Sequence, residues 1–207
     1  MRQAPLSIVW LCGLSAEEYA AAGKRIEVPR QACPGCTRPL SFWSGYERPV
    51  RCGRDLRIWI RRARCKPCAT THALLPDFVV DGRYDSVDVI GPALEKGIGG
   101  LGMRKVADQA GVPHSTAREW RRRHRARAPA LVQHFTELVF RLGGEVGAVS
   151  VDAEQAALEL VRAAWKAATA GSTDVWRFWN AVCGGRALDT NTSPPLSAMW
   201  RPVLMPA

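Results

Sequence analysis

The sequence predicts an α+β fold, a small β ribbon followed by helices, and three observations carry that prediction. Cysteines come in two tight pairs, Cys33-Pro-Gly-Cys36 and Cys65-Lys-Pro-Cys68, with 28 residues between them. Between the pairs, Leu56, Ile58 and Ile60 alternate with Arg57, Trp59 and Arg61, the two-residue period of a strand. Beyond residue 83 the apolar residues recur at helical spacing, and glycines break them into segments. The expected divisions are an N-terminal strand-helix-strand cap over 1–32, a ribbon over 33–82, a three-helix unit over 83–130 and a helical appendage over 131–207.

The apolar run Leu6–Leu14 is too short to span a bilayer and follows a single Arg2. It leads into Ser15-Ala-Glu-Glu18, the capping box of a helix, rather than into a cleavage site. It reads as a buried strand, followed by a helix from Ser15 to about Ala22 and a strand around Ile26–Val28. The expected setting is cytoplasmic, with no membrane partner.

The paired cysteines carry the chemistry of the next segment. Each Cys-x2-Cys turn delivers two sulfurs on one side of a hairpin tip, and two facing tips complete a closed four-sulfur site with no open position. One structural Zn2+ is therefore the expected cofactor, with Cys33, Cys36, Cys65 and Cys68 as ligands and the segment as a zinc ribbon. A redox pair normally occurs once, near a βαβ pattern, which is absent here. Seven cysteines are too few, and odd in number, for a secreted disulfide scaffold. Cys12 and Cys183 lie in apolar contexts and read as buried residues, while Cys52 and His72 are alternative single ligands.

The ribbon's second strand presents an apolar face inward and an Arg/Trp face outward, and runs through Arg61-Arg62-Ala63-Arg64 into Cys65. Arg57, Arg61, Arg62 and Arg64 are candidate contacts to a phosphate backbone. Trp43, Tyr46 and Trp59 either stack on bases or pack on one another and on Arg stems.

Asp85 or Ser86 caps a helix over Val87–Lys96, and Gly97-Ile-Gly-Gly100 breaks it. A second helix starts near Gly102 and Met103 and ends at Gly111; Pro113 opens a third. With Met103 as position one of a helix-turn-helix, Ala107 is the small residue that lets the helices approach. Gly111 supplies the positive φ of the turn, and Ala117 and Trp120 seat the third helix. Ser115, Thr116, Arg118, Glu119 and Arg122 then face outward, toward a major groove. Arg118 and Arg122 can contact guanine bidentately, and Glu119 can accept from cytosine. Arg121, Arg123, Arg125 and Arg127, with Arg104 and Lys105 on the second helix, are candidate backbone contacts. The bland alternative is a solvated basic helix.

Leu131–Leu142 continues or follows that helix. Asp152 caps the next, whose stripe is Ala157, Leu160, Val161, Ala164, Trp165 and Ala168. Thr173 caps a last one, with Val175, Trp176, Trp179 and Val182 inward and Gly184-Gly185 as its stop. Asn191-Thr-Ser-Pro-Pro-Leu196 and Trp200-Arg-Pro-Val203 read as extended.

The net charge of +10 is concentrated. Residues 33–82 and 83–130 each carry an excess of five positive charges, whereas 131–207 carry one net negative charge. A localised basic field attracts polyanions, and double-stranded DNA is the expected partner. Arg outnumbers Lys 24 to 5, which suits phosphate and guanine recognition and also follows from a GC-rich genome.

The run Arg64-Cys-Lys-Pro-Cys-Ala-Thr-Thr-His-Ala-Leu-Leu-Pro-Asp-Phe78, then Arg83-Tyr84, then the helix-turn-helix, resembles the N-terminal half of bacterial insertion-sequence transposases. In that family a zinc ribbon precedes a helix-turn-helix, and both hold the element's terminal DNA. The whole layout, including the Asn191-Thr-Ser-Pro-Pro195 tail, also resembles a group of uncharacterised bacterial proteins. Two features depart from the family. Thr37 and Ala69 stand where such knuckles often carry Gly after the second Cys. The 77 residues after 130 are also too few for an RNase-H-like catalytic domain with its three carboxylates, and they lack its strands. The expectation is therefore a non-enzymatic, sequence-specific DNA-binding protein, a transcriptional regulator or mobile-element accessory. A homodimer or a mobile-element partner protein are the protein partners considered. The DNA-binding subunit of a split or degenerate transposase, and a protein-interaction adaptor, are the alternatives.

Overall fold

Alternation of apolar and polar residues builds one sheet, and helical periodicity builds its cover. The computed structural model describes residues 7–168 and 173–189, and the chain is α+β, with one four-stranded sheet and six α-helices among those residues. Both C-terminal segments expected to be extended lie outside the described residues. No helix of the described residues is long and apolar enough to cross a membrane.

The strands are β1 (Ile8–Trp10), β2 (Ser41–Arg51), β3 (Asp55–Cys65) and β4 (Thr70–Pro76), in the spatial order β1-β4-β3-β2. β2, β3 and β4 are antiparallel neighbours, and β1 lies parallel to β4 with Ile8 opposite Leu74. The β2–β3 register runs from Ser41 opposite Arg64 to Arg51 opposite Asp55, with a bulge between Phe42 and Ser44 that leaves Trp43 unmatched. Ile58 and Ile60 are buried on one face of β3.

The opposite face of β3, expected to be open, is covered in part, around Trp59 and Arg61, while Arg57 stays exposed. Helix α1 (Ala16–Ala22) packs on it, held at its start by a reciprocal capping box between Ser15 and Glu18. The buried Tyr19 of α1 donates its hydroxyl to the Trp59 carbonyl at 3.2 Å. No strand forms around Ile26–Val28: a 3-10 turn over Gly23–Arg25 leads into unpaired chain there. Ile26 and Val28 are buried all the same, and the Ile26 carbonyl accepts from the Arg61 guanidinium instead of from a neighbouring strand.

Helices α2 (Val87–Ile98), α3 (Met103–Ala110) and α4 (His114–Arg141) pack against one another. Ser86 is the N-cap of α2 but makes no side-chain cap bond, and the Asp85 carboxylate accepts from Arg51 at 2.6 Å. Gly111 ends α3 in the left-handed region at φ 64, where a Cβ would be strained. α4 is 28 residues long, about 42 Å at the α-helical rise, and runs without interruption through Pro129 and across residue 130. Its second half buries Leu131, Phe135, Leu138 and Val139, and α4 packs along α5 (Ala153–Ala168). Asp152 caps α5 by accepting from the Gln155 N–H at 2.9 Å. The last helix, α6 (Val175–Val182), is capped by Asp174, not Thr173. The Asp174 carboxylate accepts from the N–H groups of Trp176 and Arg177, while the Thr173 carbonyl takes the Trp165 indole N–H. One continuous apolar core joins the sheet, α1 and the helices.

Candidate functional site

Two knuckles meet at one end of the sheet. The first is the turn enclosed by the Ala32–Pro39 bridge, and the second is the β3–β4 connection. The four sulfurs of Cys33, Cys36, Cys65 and Cys68 all lie within 4.8 Å of one another, with Cys33–Cys68 at 3.9 Å and Cys36–Cys65 at 3.4 Å. A tetrahedron of sulfurs at the zinc–sulfur bond length has edges of about 3.8 Å. Cys33 and Cys65 are buried, and Cys68 is exposed at the rim.

The local backbone explains the convergence. The Gly35 N–H donates to the Cys33 sulfur at 3.4 Å, folding the first knuckle around its own ligand atom. Thr37 and Ala69, each directly after a second cysteine, are the non-glycine residues with positive φ among those described, at 62 and 52. Both knuckles therefore close with the same left-handed residue, the conformation for which glycine is suited.

The charge pattern fits a cation. The backbone N–H of Arg38, helped by neighbouring thiols, pulls Cys36 down to about 7. The Cys36 and Cys65 sulfurs push Cys68 up to about 12. Four sulfurs this close do not all ionise by themselves, and a bound divalent cation makes all four thiolates. The cluster can hold a metal ion, and its all-sulfur donor set suits zinc.

The alternative ligands separate clearly. His72 is buried on β4, with Nε2 3.8 Å from the Cys33 sulfur, beside the cluster. Cys52 lies in the β2–β3 turn, at the opposite end of two 11-residue strands, where burial raises its thiol to about 11. It is not a ligand. Cys183 is fully buried, and Cys12 donates to the buried Asp77 at 3.1 Å.

The basic strand residues divide by the strand's period. Arg57 and Arg61 lie on one face of β3, and Arg62 and Arg64 on the other. Arg61 is engaged internally: its guanidinium donates to the Ile26 and Lys24 carbonyls, each at 3.0 Å. Arg57 is exposed beside Glu47. Arg64 lies over the ring of Trp43, which is 62% exposed on the edge strand β2.

On α4 Ala117 and Trp120 are buried, leaving Ser115, Arg118 and Arg122 exposed and Thr116 and Glu119 half-buried. The Glu119 carboxylate accepts two bonds from Arg122 and one from Arg123, between 2.6 and 2.7 Å. Arg122, then Arg123, holds Glu119 down at about 2. Arg121 and Arg125 both reach the buried Glu154 of α5, at 3.5 and 2.8 Å. Arg127 is buried. Arg118, Arg104 and Lys105 are exposed and make no ion pair among the described residues. A cleft of about 520 Å³ runs along this face, lined by Met103, Ser115, Arg118, Glu119, Arg121, Arg122 and Arg125. The Glu119 clasp is legible in the sequence, since its partners stand three and four residues along one helix. The Glu154 clasp is not, because it depends on how α5 docks.

A family model described as a domain of unknown function, DUF6431, matches residues 33–120, from the first cysteine of the cluster to the buried Trp120 of α4. No curated protein and no solved structure matches the chain.

Proposed function

We propose that this protein is a sequence-specific double-stranded DNA-binding protein without catalytic activity, a transcriptional regulator or an accessory of a mobile element. It combines a zinc ribbon with a helix-turn-helix made by α3, the Gly111 turn and α4. The observation that carries this reading is the outer face of α4. There Arg118 is exposed, with no ion pair among the described residues, one turn from Arg122 on a helix seated by Ala117 and Trp120. The localised positive charge and the likeness to the DNA-holding part of insertion-sequence transposases support it.

Within this reading the side chains take distinct roles. Arg118 reads a base edge directly, and Arg122 does so as a guanidinium oriented by Glu119. Ser115 and Thr116 approach the same groove. Arg104 and Lys105 meet the backbone. Arg121 and Arg125 fix α4 on α5 and contribute field rather than readout. Cys33, Cys36, Cys65 and Cys68 would hold one Zn2+ ion, which supplies a crosslink between the two knuckles and no reactivity.

The test is selection from a random duplex library across a salt series. One enriched motif, with affinity falling steeply as salt rises, is the expected result. Replacing Arg118 and Arg122 together by Ala should cost about 1–3 kcal/mol per lost contact and relax the motif. Undiminished specific affinity in that variant would remove α4 as the reading face. A second reading, a protein-interaction adaptor, draws on the exposed Phe42, Trp43 and Tyr46 of β2. Weak, salt-insensitive DNA binding with one stoichiometric protein partner would favour it.

A further inference from the structure

The Arg83-Tyr84 pair belongs to the sequence resemblance, yet a reading of α4 alone gives it no role. Both residues lie in the link between β4 and α2, where that link meets the far end of the β2–β3 hairpin. Hydrogen bonds close the junction. The Arg51 N–H donates to the Tyr84 carbonyl and the Ser86 N–H to the Arg51 carbonyl, each at 2.9 Å. Arg51 is oriented twice, with its Nε on Asp85 at 2.6 Å and its guanidinium 5.2 Å from the centre of the Tyr84 ring.

Opposite this junction stands the first turn of α4. Between them is a second cleft, of about 480 Å³, with Arg51, Gly82, Arg83 and Tyr84 on one wall and Ser115 and Thr116 on the other. Two carboxylates also line it, and both are already matched: Asp85 by Arg51, and Glu119 by Arg122 and Arg123. Arg83 gives one terminal nitrogen to the Leu188 carbonyl at 3.2 Å, its one side-chain hydrogen bond among the described residues. Burial, and then the nearby Arg123 cation, hold Arg83 below the usual guanidinium range, a strain that an anion in the cleft relieves. The cleft thus presents two held guanidinium groups and two hydroxyls beside the helix end that would enter the groove.

We propose that this cleft grips one backbone phosphate of the DNA lying on α4, so that ribbon and helices hold one strand jointly. The inference rests on the DNA-binding reading. It accounts for Arg83-Tyr84 as a phosphate contact and the support of another, and for a matched segment whose ends, Cys33 and Trp120, enclose both walls.

Gly82 gives a clean test. It sits on the rim at φ 66, and a Cβ there meets nothing within 4 Å. Gly82→Asp and Gly82→Asn share that backbone strain, which Asn and Asp both tolerate, and differ only in charge. Full-length variants are titrated with a labelled random-sequence duplex over a salt series, with thermal midpoints measured in parallel. The expected result is binding about tenfold weaker for Gly82→Asp than for Gly82→Asn near 0.1 M salt, at matched midpoints. In Arg83→Gln the slope of log affinity against log salt should shrink by about 0.9, the release from one phosphate contact. Equal binding by the two Gly82 variants, with an unchanged slope for Arg83→Gln, overturns the phosphate cleft while leaving α4 as the DNA face. A wild-type chain that does not bind the duplex overturns both.

Discussion

At the scale of single residues, the knuckles and the buried imidazoles give opposite lessons. Thr37 and Ala69 hold a left-handed conformation that costs an L-residue about 1–2 kcal/mol, against about 0.5–1 kcal/mol for the extra freedom that Gly loses on folding. Thr37→Gly and Ala69→Gly are therefore expected to stabilise the metal-loaded protein by about 0.5–1 kcal/mol each, more at the β-branched Thr37. Competition with a chromophoric chelator measures this, and faster metal loss from either variant would count against it. The sequence marks both positions, since each follows a second cysteine, but only the backbone shows that the two knuckles close alike. His124 and His134 were not legible. They lie at core-facing positions of α4, and burial drives both imidazoles down to about 4. The unfolded chain takes up these two protons near pH 6.5, well before the folded one does. Stability is thus complete above about 6.5 and is lost as pH falls toward about 4, on the order of 3 kcal/mol per imidazole. Urea unfolding followed from neutral to mildly acid pH should show this loss, and His124→Gln with His134→Gln should flatten it.

At the scale of elements, local periodicity was enough for β3, α3 and the start of α4, whose partners lie close in sequence. It was not enough where distant segments decide the outcome. The stretch around Ile26–Val28 has the composition of a strand, yet Arg61 bonds its carbonyl where a ladder partner would stand. The sequence leaves open whether Leu131–Leu142 continues the helix before it, and α4 does continue, through Pro129, with Leu131, Phe135 and Leu138 buried beyond it. Gly91 lies inside a helix at a cost in propensity, and the reason is Trp176 of α6: a Cβ at Gly91 would stand 2.2 Å from that ring. Gly91→Ala should thus destabilise by about 1–3 kcal/mol despite the better helix former, because α2 and α6 must separate. A denaturant midpoint equal to that of wild type would show that the two helices are not so closely apposed.

At the scale of the whole molecule, the cysteine cluster and the helices share one core, so damage at one end should be felt at the other. Cys33 and Cys65 belong to the same buried cluster as Trp120 and Leu131. Removing the metal with a chelator in mild acid and returning the protein to neutral pH should lower the thermal midpoint by about 10 °C, the equivalent of roughly 3 kcal/mol for a chain of this size. A midpoint unmoved by chelation would mean that the four thiols hold the knuckles together unaided. Among the described residues the sheet's edge strands are β1 and β2, with β2 bonded on its outer side at Arg51 to the Tyr84–Ser86 link, and an edge strand is normally where another polypeptide adds itself. β1 is three residues long, too short to template a partner. β2 is long enough, but its ladder is interrupted by the bulge at Trp43 and lacks an N–H at Pro49. The bulge that leaves Trp43 unmatched thus breaks the regular run of donors and acceptors on which a neighbouring molecule's strand would zip, a device against fibril seeding at an edge that carries exposed aromatics.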